Sequence, residues 1–130
     1  MSKEYFCDAD RFAIALNDLL MDVVTDVDGS TMPVVKDACK KAANEVRKNA
    51  RAQGWGSYAK EFSYKTSHRN LESLGEVGNG KRPGLVHLLE KGHAKVGGGR
   101  VEGRPHMGPA ADVAEEYFWQ EMQDVLEAVL

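Results

Sequence analysis

Between residues 11 and 27 the apolar positions Phe12, Leu16, Leu19, Leu20, Val23 and Val27 recur at steps of three and four. That spacing gathers side chains on one face of a helix. Asp8 or Asp10 stands where an N-terminal cap belongs, and Gly29 where such a helix would stop. Ser30 or Thr31 then offers a second cap, Pro33 suits a first turn, and Val35, Ala38, Cys39, Ala42, Val46 and Ala50 make a second stripe ending before Gly54. The pattern predicts two helices, with the short stretch 28–32 folding them into an antiparallel or sharply bent pair. The second stripe is built of small residues, so another helix can lie close to it.

Past the glycines at 54 and 56 the period changes. Phe62, Tyr64 and Thr66 alternate with Ser63, Lys65 and Ser67, the pattern of a strand with one buried face. Residues 72–77 read as a second, weaker strand before the turn signal Gly78-Asn79-Gly80. The apolar run 85–89 is short enough to be one helical turn or a buried strand. Pro109 then starts a helix whose Ala114, Tyr117, Phe118, Met122, Val125, Leu126 and Val129 form an apolar face. The predicted class is α+β: two N-terminal helices, a small antiparallel sheet with a long Gly-rich arm, and a C-terminal helix. A length of 130 residues fits a single domain, 1–130, divided into a helical pair (1–53), the sheet and arm (54–108) and the terminal helix (109–130).

Composition changes this picture little, but the placement of charge changes it more. Apolar residues are 42% of the chain, and no run approaches the ~20 residues of a membrane span. The N-terminus lacks the basic-then-apolar order of a signal peptide, so a cytosolic protein is expected. Cys7 and Cys39 have no CxxC spacing and read as reduced thiols. Residues 1–28 carry seven acids and two bases, 29–110 seven acids and 15 bases, and 111–130 six acids and no base, giving −5, +8 and −6. Such a chain folds its ends against its middle or shows partners one basic and one acidic surface.

The densest candidate chemistry lies in 84–110, which holds seven of the 13 glycines and three of the four histidines. His87, Glu90 and His93 invite a metal or nuclease reading, yet the HExxH spacing is absent and Gly92 stands where a helix would end before His93. Glu90, beside Leu88 and Leu89, is expected to be partly buried and paired with a nearby base or backbone donor. Gly97-Gly98-Gly99 is no phosphate cradle, because more loop follows it and neither GxGxxG nor GKS/GKT is present. These glycines predict a flexible or extended excursion, able to order against a partner and punctuated by Lys95, Arg100 and Arg104. Trp55 and Trp119 read as core or interface anchors. No GxSxG occurs, neither cysteine sits in an activating context, and no cofactor is expected.

The block H-L-L-E-x-G-H-A followed by G-G-R-V-x-G-R-P-H-x-x-P-A spans His87 to Ala110. With two preceding helices, a short strand around YAKEFSYKTS and a terminal acidic helix, it resembles the tail-completion or neck proteins of long-tailed bacteriophages, minor tail components of the head–tail connector. The matching positions are His87, Leu88, Leu89, Glu90, Gly92, His93, Gly98, Gly99, Arg100, Gly103, Pro105, His106, Pro109 and Ala110. The commoner family form has a proline followed by Thr-Gly before the first strand, where this chain has Gln53-Gly54-Trp55-Gly56. The resemblance implies a structural protein without catalytic activity, forming a homo-oligomeric ring in the virion after synthesis in the host cytoplasm. Its implied partners are further copies of itself, the head-closure and tail-terminator proteins, and non-specifically the DNA passing through the ring, with no membrane. It also implies that the Leu-Leu-Glu-Gly portion holds the strand or turn in the core, that the arm after His93, with Lys95 and Arg104, reaches a neighbouring subunit, and that Pro105 and Pro109 set the entry into the last helix. Basic arm and acidic terminal helix would meet between adjacent subunits or stacked rings. Two other classes compete: a small nucleic-acid-binding protein, and a metal-dependent hydrolase using His87, Glu90 and His93.

Overall fold

The computed structural model describes the backbone of residues 9–130 and the side chains of 14–130. Cys7, the Asp8 cap and the side chain of Phe12 lie outside the described residues. Helix α1 (Ala9–Ala52) is followed by a single turn, α2 (Gly56–Ala59), and by strands β1 (Phe62–Arg69) and β2 (Glu72–Asn79). Helix α3 (Pro83–Lys91), strands β3 (Gly92–Ala94) and β4 (Arg100–Glu102), and helix α4 (Met107–Val129) complete the chain. The class is α+β.

The two predicted N-terminal helices are one. Both stripes are present, but α1 runs through Gly29 and Pro33 without a break. A glycine and a proline inside a helix cost roughly 1 and 3 kcal/mol, and Pro33 leaves the Gly29 carbonyl without its usual donor. Contacts on both sides hold the junction helical. His68 Nε2 of the first hairpin lies 3.3 Å from Asp28 Oδ2, Val34 and Ala38 are buried just beyond, and the Thr31 hydroxyl donates back to the Val27 carbonyl at 2.7 Å. Asp10, the alternative cap, is already inside the helix.

Strands β1 and β2 pair antiparallel from Phe62 opposite Asn79 to Arg69 opposite Glu72. Asn70 turns the chain with φ of 55°, a left-handed conformation that a short polar side chain tolerates. As the alternation predicts, Phe62, Tyr64 and Thr66 face inward while Ser63, Lys65 and Ser67 are exposed. The turn signal overlaps the end of β2 and leads to a helix: Asn79 Oδ1 accepts from the backbone N–H of Lys81 and Arg82 at 2.9 and 2.7 Å, and Pro83 opens α3. The undecided run 85–89 is therefore helical. The core joins Val46 and Ala50 of α1, Tyr58 and Ala59 of α2, Phe62, and Ala110 of α4. Small side chains at 42, 43, 46 and 50 let α4 lie along α1. A shallow groove of about 480 Å³ remains between α1, β2 and α4. In it Gly75 sits against Cys39 so closely that a Cβ would overlap the thiol sulfur.

Candidate subunit-interface motif

The residues of the 87–110 block divide into a buried seam and an exposed hairpin. Glu90, on the last turn of α3, points at the start of α4. Its Oε1 accepts from the backbone N–H of His106 at 2.9 Å and Met107 at 2.8 Å, and its Oε2 from that of Gly108 at 2.9 Å. The first N–H groups of a helix have no partner within it, and the helix dipole favours negative charge there. No side chain of the cap residue itself bonds to this end. Glu90 supplies the missing acceptor from another element. Burial pushes its carboxyl up, and the three backbone donors outweigh that and hold it below the ordinary carboxylate value.

His106 is fully buried. Its Nδ1 lies 3.0 Å from both the Arg104 carbonyl and Glu90 Oε1, two acceptors, so this nitrogen carries a hydrogen. Nε2 is then free to accept the Tyr58 hydroxyl, 2.8 Å away. Burial, and next the nearby Glu90 charge, push the Tyr58 phenol up to about 12, keeping it a donor. Trp55, Tyr58 and Phe62 enclose the imidazole edge-on, with ring centroids 5.4 to 6.1 Å from it. Asn49 of α1 donates to the His106 carbonyl at 3.2 Å. Side chains from α1, α2, β1 and α3 thus meet on one histidine.

The hairpin β3–β4 grows out of this seam. Gly92 stands at φ of 78°, and a Cβ there would collide with the Val101 carbonyl and come within 2.6 Å of Gly103 N. A Cβ on Gly103 would come within 2.5 Å of the Glu90 carbonyl. The two strands can meet only as glycine against backbone. Arg104 N–H adds a 2.7 Å bond to the Leu89 carbonyl. Beyond the seam, Gly97, Gly98 and Gly99 all take positive φ and close the turn, with Lys95 N–H bonded to the Gly99 carbonyl at 3.0 Å. The expected flexible or extended excursion is thus a folded hairpin whose tip is bare: Val96 is fully exposed, and Lys95, Gly98 and Gly99 are exposed beside it.

The remaining positions sort plainly. His87 on α3 and His93 on β3 are exposed, whereas Glu90 is committed to α4. Among the described residues no three His, Cys, Asp or Glu side chains gather as a metal-binding group. Arg100 is exposed and donates to the Lys91 carbonyl at 2.7 Å. Arg104 Nη1 reaches toward Gln53 Oε1 at 3.5 Å. Pro105 is exposed between β4 and α4, and Pro109 lies in the first turn of α4, which starts two residues earlier than the sequence predicts. Sequence reasoning missed Tyr58 and Asn49, because a lone Tyr in a four-residue turn and a polar residue on a helix carry no periodic signal. Trp55 packs half-buried against the core, and Trp119 is 62% exposed. Comparison with family models, curated proteins and solved structures finds no match to this chain.

Proposed function

We propose that this chain is a structural protein of virion assembly, placed at the head–tail junction of a long-tailed phage, where copies of it associate into a ring. The observation that carries the reading is the division of labour within the 87–110 block. Glu90, Gly92, Gly103 and His106 are spent on a rigid seam, and what that seam presents is an exposed hairpin bearing Lys95 and Arg100 with Arg104 at its base. A segment built so firmly to display cations serves recognition of a surface. Head-closure and tail-terminator proteins are the proposed further partners, with DNA passing through the ring.

The test is genetic. In the phage or prophage encoding the chain, its deletion should leave filled heads and finished tails unjoined in electron micrographs, and mass spectrometry should find the chain in purified wild-type virions. Normal infectious yield without the chain sinks the proposal. Retention of duplex DNA by the isolated protein, weakening steeply with salt as phosphate-driven binding does, would instead favour the nucleic-acid reading.

A further inference from the structure

Among the described residues, the first half of α1 is apolar without a matching surface. Ile14, Leu16, Leu19, Leu20, Met21 and Val24 are 38 to 64% exposed, whereas the second half of the same helix buries Val34, Ala38, Ala43, Val46 and Ala50. Asp18 and Asp26 flank the apolar positions, and no basic residue occurs between Ile14 and Asp28. This is an apolar and acidic surface. The β3–β4 hairpin is its converse: Val96 and Val101 are exposed among Lys91, Lys95, Arg100 and Arg104, with Glu102 the only acid from Gly92 to Arg104.

The two surfaces cannot meet within one chain. The hairpin is anchored at the far end of α1, where Arg104 lies beside Gln53 and bonds to Leu89. From Leu20 to Gln53 the helix path is about 50 Å at 1.5 Å per residue. We infer that the first half of α1 docks on the β3–β4 hairpin of a second copy of this chain. The contact joins different surfaces of two identical chains, so each copy keeps a free helix at one end and a free hairpin at the other. Such head-to-tail contacts close into rings or run on as filaments. The inference rests on the ring reading above and names the contact that would build the ring. The sequence pointed to the acids of α4 as the partner of the basic hairpin. Helix α4 already buries Ala110 and Met122 within its own chain, and the α1 segment offers acids together with unspent apolar surface.

The experiment uses the full chain and two variants altered only at exposed positions, Leu19→Lys with Leu20→Lys, and Arg100→Glu with Arg104→Glu. Sedimentation velocity is run at roughly 100 μM, where even a contact of ~10 μM affinity is populated, with circular dichroism as the folding control. The wild type should associate beyond a dimer, each variant alone should sediment as a monomer, and an equimolar mixture of the two should associate again, because one partner keeps an intact helix and the other an intact hairpin. A monomeric wild type overturns the inference. So does a hairpin variant that associates like the wild type, or a mixture that stays monomeric. If the lysines lower the helical signal, Leu19→Ser with Leu20→Ser replaces them. Loss of association on reversing Glu115, Glu116 and Asp124, with the helix variant unaffected, would hand the contact to α4. Association that follows this pairing in a chain absent from virions would sink the phage reading and leave the contact standing. A chain found in virions whose variants associate normally would do the reverse.

Discussion

Replacing Glu90 by Gln tests whether the carboxylate holds the molecule together. The wild-type side chain accepts three backbone N–H bonds, two on one oxygen and one on the other, all between 2.8 and 2.9 Å. A glutamine has one carbonyl oxygen. If it keeps the His106 and Met107 bonds, its NH₂ faces the Gly108 N–H, donor against donor. Losing a charge-assisted bond costs about 1.5–3 kcal/mol, the two remaining bonds become neutral ones, and an anion at a helix N-terminus contributes about 0.3–1 kcal/mol more. The sum is about 2–4 kcal/mol, or a fall in Tm of roughly 8–15 °C for a chain of this size. The carboxyl is lowered in the folded state, so its stabilisation is fully present above the unfolded value of about 4.3 and is lost as pH falls through the lower folded value. The gap between wild type and Glu90→Gln should be widest near neutrality and close in acid. Thermal unfolding followed by circular dichroism over that range is the assay. A Tm within about 2 °C of wild type at neutral pH, or a gap that does not change with pH, refutes the role assigned to Glu90.

Tyr58→Phe should cost about 1–3 kcal/mol, because it leaves the buried His106 Nε2 without a partner; urea unfolding that matches wild type would show the bond to be idle. The Tyr58 phenol is raised in the fold, so wild type should lose stability as pH climbs from about 10, the unfolded value, toward 12, and Tyr58→Phe should lose less, as pH-dependent melting reads directly. Gly103→Ala should destabilise the seam by more than the 1 kcal/mol or so of an average substitution, since its Cβ would press on the Glu90 carbonyl; a neutral effect in thermal melts would mean that β4 moves away freely. Amide exchange in the free protein should split the 95–106 segment, slow at Arg104 and His106 where the seam bonds lie and fast from Val96 to Gly99, and uniformly fast exchange through His106 would contradict the geometry.

What the sequence announced was periodic. The alternation at 62–67 marked β1 with the correct buried face, and the stripes at 11–27 and 35–50 marked α1. The error came at Gly29 and Pro33, where local propensity argues for a break and tertiary contacts decide otherwise: His68 on Asp28 and the buried Val34 and Ala38 reward a continuous helix. The undecided 85–89 became helical through Pro83 and the turn that Asn79 closes before it, both local signals, though weighing them needed the hairpin before them. In the 87–110 block, Glu90 could be named from sequence as a carboxylate in need of donors. Those donors were backbone groups 16 to 18 residues onward. Side-chain patterns carry no information about them.

Gly92 and Gly103 leave their mark on how this chain can change over evolutionary time. Each occupies space that the opposing backbone forbids to a Cβ, so neither can drift without the other strand moving. Val96 is fully exposed, and a Cβ on Gly97 or Gly98 would meet nothing among the described residues, yet the positive φ of both would strain it. Selection for folding therefore acts on the base of the hairpin and on the glycines of its turn, and is blind to the side chain at Val96. A restraint on Val96 would have to come from outside the fold, whereas the glycines beside it are held in place by the turn they close.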